Sequence, residues 1–165
     1  MEHSNRISIK SPVALLAFVL ASVVAGSIGS LVTITGPASW YSLLVKPVFQ
    51  PPNWIFGPMW TLLFILMGIA AYLIWERGIK EPEVRFALSV FCIQFVFNIL
   101  WSFLFFGMQS PLLGLLDIII LWWLILATIM TFYRVRKSAA YFLIPYIAWV
   151  SFATILNATI VLLNP

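Results

Sequence analysis

Charge is scarce in this sequence. Only nine Lys and Arg and five Asp and Glu occur among 165 residues, 8% in all, too few for the surface of an ordinary soluble domain. Cysteine and histidine are scarcer still. The single Cys92 and single His3 exclude a disulfide framework, a zinc constellation and a Cys-His nucleophile pair within one chain. Cys92 lies inside an apolar run, which reads as a small buried residue. The nine basic residues form no patch or stripe, so the net charge of +4 does not point to nucleic acid. No metal site, nucleophile-base pair or cofactor motif is present, and no cofactor is expected.

What the chain has instead is apolar length. Hydrophobic residues make up 63% of it, with a mean hydropathy of +1.07. A bilayer core of about 30 Å needs roughly 20 apolar residues in a helix. Five runs qualify: Pro12 to Ile34, Trp54 to Trp75, Val84 to Phe106, Pro111 to Tyr133 and Ser138 to Leu163. They are too long for barrel strands and do not alternate, so they read as helices. The expectation is an all-α membrane protein, one five-helix domain over residues 1–165. The first run follows Arg6 and Lys10 but outlasts a signal sequence, which makes it a retained span.

The connectors alternate in charge. Arg6 and Lys10, then Arg77, Lys80 and Arg85, then Arg134, Arg136 and Lys137 fall on one side; the other has Lys46 alone. The positive-inside rule then puts the N-terminus in the cytoplasm and the C-terminus outside, in a multi-pass protein of the cell membrane. The short connector "GMQS" makes the third and fourth spans antiparallel neighbours. No internal repeat is visible, and an odd span count argues against the inverted-repeat transporters.

Several spans carry residues that lipid would not tolerate or does not need. Ala17, Ala21, Ala25 and Gly29 recur every fourth residue, with Ser22, Gly26 and Ser30 alongside. Such small-residue rows pack helices closely, within a bundle or between subunits. A homodimer through Ala21, Ala25 and Gly29 is expected. Gln94, Asn98, Trp101 and Phe105 share one helical face, which must look into the protein. Asp117 reads as a structural carboxyl hydrogen-bonded to a hydroxyl or an amide. Trp60 and Phe64 share a face of the second span, as do Trp149, Phe152, Ala153, Leu156 and Asn157 in the fifth. Trp60 lies about 9 Å deeper than Trp54, beyond the reach of an interfacial belt. Pro145 should kink the fifth helix by removing the hydrogen bond to the Tyr141 carbonyl.

The connector "KPVFQPPNWIFGPMW", Lys46 to Trp60, holds four prolines and is stiff before it folds. With Pro58 in the first turn of the second helix, Val48, Phe49 and Trp54 would cap the outer end of the bundle. Trp60, Phe64, Trp101 and Trp149 would then line an aromatic cavity, with Tyr41, Gln94, Asn98 and Asn157 as its polar groups. A flat, conjugated, mostly hydrophobic ligand fits such a site, and a hydrophilic ion or sugar does not.

The string "WYSLLVKPVFQPPNWIFGPMWTLLFILMGIAAYLIW", with "NILWSFLFF", "LLDIIILWW" and "IPYIAWVSFATILN", resembles the TspO/MBR family of tryptophan-rich sensory proteins and translocator proteins over Gly26 to Asn157. The resemblance implies a five-helix bundle, often a homodimer, that binds porphyrins and other tetrapyrroles, sterols and benzodiazepine-site ligands. It implies a pocket at Tyr41, Pro51, Trp60, Phe64, Asn98, Trp101, Trp149 and Ala153. Trp60 and Trp149 match two tryptophans implicated in porphyrin breakdown in some bacterial members. Two departures stand out. Phe49 replaces the tryptophan of the family's "KPxWxPP", and the segment after Asn157 lacks the Tyr and Arg of the cholesterol-recognition segment, so sterol binding there is not expected. The resemblance favours a porphyrin-binding translocator or sensor with its pocket under residues 35–53. A light- and oxygen-dependent porphyrin-degrading enzyme using Trp60 and Trp149 is the alternative, and a membrane scaffold is a third reading.

Overall fold

A computed structural model describes residues 10–165; His3 and Arg6 lie outside them. The described residues form helices and no strand. Five helical segments are long and apolar enough to cross a membrane: Pro12–Leu31, Asn53–Trp75, Pro82–Gly107, Pro111–Val135 and Lys137–Leu163.

The starts of these segments follow from local chemistry. Helix α1 (Pro12–Ser27) and helix α5 (Pro111–Val135) each begin at a Ser-Pro pair. Ser11 accepts a hydrogen bond from the Ala14 amide at 3.2 Å, and Ser110 one from the Leu113 amide at 3.3 Å. Each serine satisfies an otherwise unpaired N–H, and the following proline has none to satisfy. Helix α4 (Pro82–Ser102) also opens on proline, with Glu83 in its first turn. After α1 the chain tightens into a 3-10 turn, Ile28–Leu31, and the span ends there rather than at Ile34. The next residues, Val32 to Thr35, are all β-branched and lead into Gly36-Pro37, a poor helical continuation.

The first connector holds a helical turn not anticipated from the sequence, α2 (Trp40–Leu43). Helix α3 (Asn53–Trp75) starts at Asn53, so Pro58 sits in its second turn rather than its first. There it leaves the Trp54 carbonyl without its helical donor. Helix α4 ends in a π-helical turn, Phe103–Gly107, where the Met108 amide reaches the Phe103 carbonyl at 2.8 Å. Gln109 then takes a left-handed conformation, φ 54°, and the chain reverses into α5, which lies along α4 as the short connector requires. The last span breaks at Phe142 and Leu143 into α6 (Lys137–Tyr141) and α7 (Ile144–Leu163). The break falls where Pro145 would have bonded the Tyr141 carbonyl.

Helix α3 is central. Its Leu63, Met67, Ala70 and Ile74 pack with Ile118, Leu121 and Ile125 of α5 and with Leu143 and Val150 beside and on α7. Helix α1 lies along α3 through small residues: a Cβ at Gly68 would stand 2.6 Å from Val19 Cα, and one at Gly26 would run into the Phe64 ring. The buried residues of α1 are Ser22 and Gly26, with Gly29 buried in the 3-10 turn that follows, while Ala17 and Ala21 are exposed and Ala25 is half-buried. Gly29 faces Ser102 of its own bundle, where a Cβ would come within 2.8 Å of the hydroxyl. It therefore serves internal packing, contrary to its expected place in a dimer contact. Cys92 is exposed on α4 rather than buried, since an outward side chain in lipid needs no polarity.

At the basic end, Arg136 is 8% exposed and Nη1 donates to Glu76 Oε2 at 2.7 Å. Glu76 Oε1 accepts from the Tyr72 hydroxyl at 2.8 Å and the Lys10 amide at 2.6 Å. Burial alone would raise the Glu76 pKa, but the Lys10 amide, Arg136 and Tyr72 together hold it below the usual carboxylate value. This network ties the start of α1, the end of α3 and the α5–α6 junction.

Candidate functional site

A cavity of about 420 Å³ lies at the other end, under the first connector and between α1, α3, α4, α5 and α7. Trp60 and Phe64 reach it from α3, Asn98 and Trp101 from α4, and Trp149, Ala153 and Asn157 from α7. Tyr41 closes it from α2. Eight residues anticipated for a ligand site thus border one void.

The rings form three groups, one of them Trp149 with Phe56 and Phe152 at 5.8 and 5.6 Å. Trp60 stacks on Phe64 with centroids 5.6 Å apart and planes 26° apart, and meets Tyr146 edge-on at 6.4 Å. Trp101 stacks on Phe105 at 5.1 Å and 25°. Phe105 lies in the π turn after α4 and is 2% exposed. Tyr41 packs on Phe105 and Phe106, at 6.2 and 5.3 Å. Lys46 Nζ lies 4.3 Å from the centroid of the Tyr41 ring, a cation–π contact for the lone basic residue of this connector. Burial raises the Tyr41 phenol above its usual pKa, so it stays a neutral donor.

The amides are held in place by one another's neighbours. Asn98 Nδ2 donates to the Tyr146 hydroxyl at 2.8 Å, and that hydroxyl donates to Gln94 Oε1 at 3.0 Å. Trp101 Nε1 donates to Asn157 Oδ1 at 3.2 Å, and Asn157 Nδ2 donates to the Pro111 carbonyl at 2.8 Å. Trp149 Nε1 is buried yet has no acceptor among the described residues. A buried N–H left unpaired is a cost carried by the folded chain, which a shift of the Trp149 ring toward an acceptor would relieve.

Three anticipated residues do not border the cavity. Gln94 shares the face of Asn98 but lies one turn deeper, 1% exposed, with Nε2 4.0 Å from Met67 Sδ. Phe49 is 47% exposed and meets only the edge of Phe152, at 6.4 Å. Pro51 is half-buried in the connector and outside the lining. Val48 and Trp54 point outward as well, 106% and 73% exposed, so the expected cap of Val48, Phe49 and Trp54 is replaced by α2 and Tyr41. Asp117 corrects another expectation: it is 4% exposed, yet neither carboxylate oxygen has a hydrogen-bond partner among the described residues. Sequence reasoning missed Tyr146, Phe56 and Phe106. Tyr146 had a legible signal, a hydroxyl three residues before Trp149 within an apolar span.

No group of three His, Cys, Asp or Glu able to hold a metal occurs among the described residues. The lining offers stacking faces and a few fixed amides.

Comparison with known proteins matches residues 18–163 to the TspO/MBR family model. The chain is 52% identical over 130 residues to "Tryptophan-rich protein TspO" of Chlorobaculum tepidum, covering 78% of this chain and 82% of that one. It is 45% identical to the protein of the same name from Archaeoglobus fulgidus, over 91% and 96% of the two chains. To "Translocator protein" of Bos taurus it is 35% identical, over 86% and 85%.

Proposed function

The chain belongs to the TspO/MBR family, and on that premise we propose that its cavity binds a tetrapyrrole, a porphyrin above all, in a translocator or sensor role. The observation that carries this reading is the convergence of Trp60, Trp101 and Trp149, from three helices, on one void of about 420 Å³. That volume lies within the range of about 300–1,000 Å³ usual for small-molecule sites. The wide stacking faces favour a flat conjugated ring.

The protein works as a multi-pass protein of the cell membrane, with the basic end in the cytoplasm, the cavity in the outer half and the C-terminus outside. A homodimer would use the outward row of α1, Ala17 and Ala21 with Ala25 at its edge. The test of binding is a titration of the purified chain with protoporphyrin IX, followed by tryptophan emission. Saturable quenching that weakens in Trp60→Ala and Trp149→Ala supports the pocket; its absence refutes it.

The second reading, photo-oxidative porphyrin degradation, draws on the placement of Trp60 and Trp149 on the same cavity. The ligand would absorb the light and oxygen would be the oxidant, with the two indoles as neighbours that can be oxidised in turn. Porphyrin absorbance under illumination decides it: bleaching no faster than beside an unrelated membrane protein rules it out.

A further inference from the structure

The cavity is open along one side. Every lining residue that is itself exposed comes from two places: Ser27 and Ser30 at the end of the first span, and Asn53, Gly57 and Thr61 at the start of α3. Lining residues from α2, α4, α5 and α7 are buried or half-buried. Helices α1 and α3 touch at Gly68 and Val19 and again at Gly26 and Phe64, and nearer the connector the α3 residues that line the cavity, Asn53, Gly57 and Thr61, are exposed. A Cβ at Gly57 would meet nothing within 4 Å.

Depth and chemistry say what this gap faces. Gly57 and Thr61 are four and eight residues past Asn53, about 6 and 12 Å into the span, at the level of acyl chains. The neighbouring surface is apolar: Val24, Leu31 and Trp54 are 65%, 78% and 73% exposed. The rim hydroxyls are turned back on their own helices, Ser27 to the Val24 carbonyl at 2.7 Å, Ser30 to Ser27 at 2.6 Å and Thr61 to Gly57 at 3.0 Å. No rim hydroxyl is left to solvate in hydrocarbon, the condition for a surface that meets lipid.

We infer that the gap between α1 and α3 is a lateral portal, through which a ligand dissolved in the bilayer enters and leaves the cavity and into which an acyl chain reaches when the cavity is empty. The cargo rests on the pocket reading above; the portal itself is tested without a ligand.

The chain is placed in nanodiscs of phosphatidylcholine brominated high on the acyl chain, and quenching of tryptophan emission is measured. Trp60 borders the gap, so Trp60→Phe should lose a quenchable component, and Gly57→Leu or Ser27→Leu should shield that component while Trp60 is still present. Equal quenching in the wild type and in both blocking variants overturns the portal. Stopped-flow mixing with protoporphyrin IX gives the second readout: blocking the gap should slow association and dissociation together, by about tenfold, with their ratio moving less than either rate. Rates unchanged in both variants also overturn it. No porphyrin binding in any of these proteins would instead refute the pocket reading and leave the bromine result to judge the portal.

Discussion

The Tyr146 hydroxyl accepts from Asn98 Nδ2 at 2.8 Å and donates to Gln94 Oε1 at 3.0 Å, so a tyrosine outside the cavity lining fixes an amide within it. Tyr146→Phe leaves Asn98 and Gln94 short of one partner each in a dry interior. The expected loss is about 1–2 kcal/mol of stability, at the lower end if neighbouring groups adjust. Thermal unfolding in detergent measures it, and porphyrin affinity should fall in parallel as Asn98 loses its fixed orientation. Unchanged stability would mean that the triad contributes nothing.

Arg136 and Glu76 make a buried pair at the opposite end. Replacing Arg136 with Met strands the Glu76 carboxylate and should cost about 3 kcal/mol, while Arg136→Met with Glu76→Leu should cost less than the single change. A double-mutant cycle by unfolding checks this. The pH dependence has a definite sign. Because the folded Glu76 pKa is depressed, its stabilisation is present above the ordinary value of 4.5 and fades as pH falls through the lower folded value. In Glu76→Gln that acid-side loss should be reduced.

Gly114 lies where a Cβ would stand 2.9 Å from the Phe105 ring and 3.1 Å from Asn157 Oδ1. Gly114→Ala should therefore cost about 1–3 kcal/mol by overpacking the α4–α5–α7 junction. At Gly36 a Cβ meets nothing, and Gly36→Ala should change stability by less than about 0.5 kcal/mol. Equal effects at the two positions would contradict the packing described.

Trp149 separates ring from donor. Trp149→Phe keeps an aromatic face and removes a buried N–H that has no acceptor, which should leave porphyrin affinity within about 0.5 kcal/mol of the wild type in a fluorescence titration. Trp149→Ala, which removes the ring from the cavity wall as well, should weaken binding clearly.

The spans and the pocket tryptophans were legible because apolar length and helical spacing are strong signals, and Trp60 stood too deep for an interfacial role. Spacing gives a face and not a floor: Gln94 shares its face with Asn98, yet four residues, about 6 Å, put it below the cavity. Hydrophobicity cannot separate core from lipid contact, because acyl chains are as apolar as leucine; Cys92 and the outward row of α1 are cases. Arg136 carries the same charge whether it faces water or Glu76. The π turn that holds Phe105 and the short α2 that delivers Tyr41 depend on tertiary contacts with no local pattern, and the stiffness of the proline-rich segment carries no sign that Val48, Phe49 and Trp54 point outward.

The most direct measurement uses the chain labelled with 5-fluorotryptophan and its fluorine spectrum before and after protoporphyrin IX, with resonances assigned by single Trp→Phe changes. The porphyrin ring current should move Trp60, Trp101 and Trp149 and leave the exposed Trp54 and Trp123, 73% and 63% accessible, in place. Shifts confined to Trp54 and Trp123, or none at all, would contradict the assignment of the cavity as the binding site.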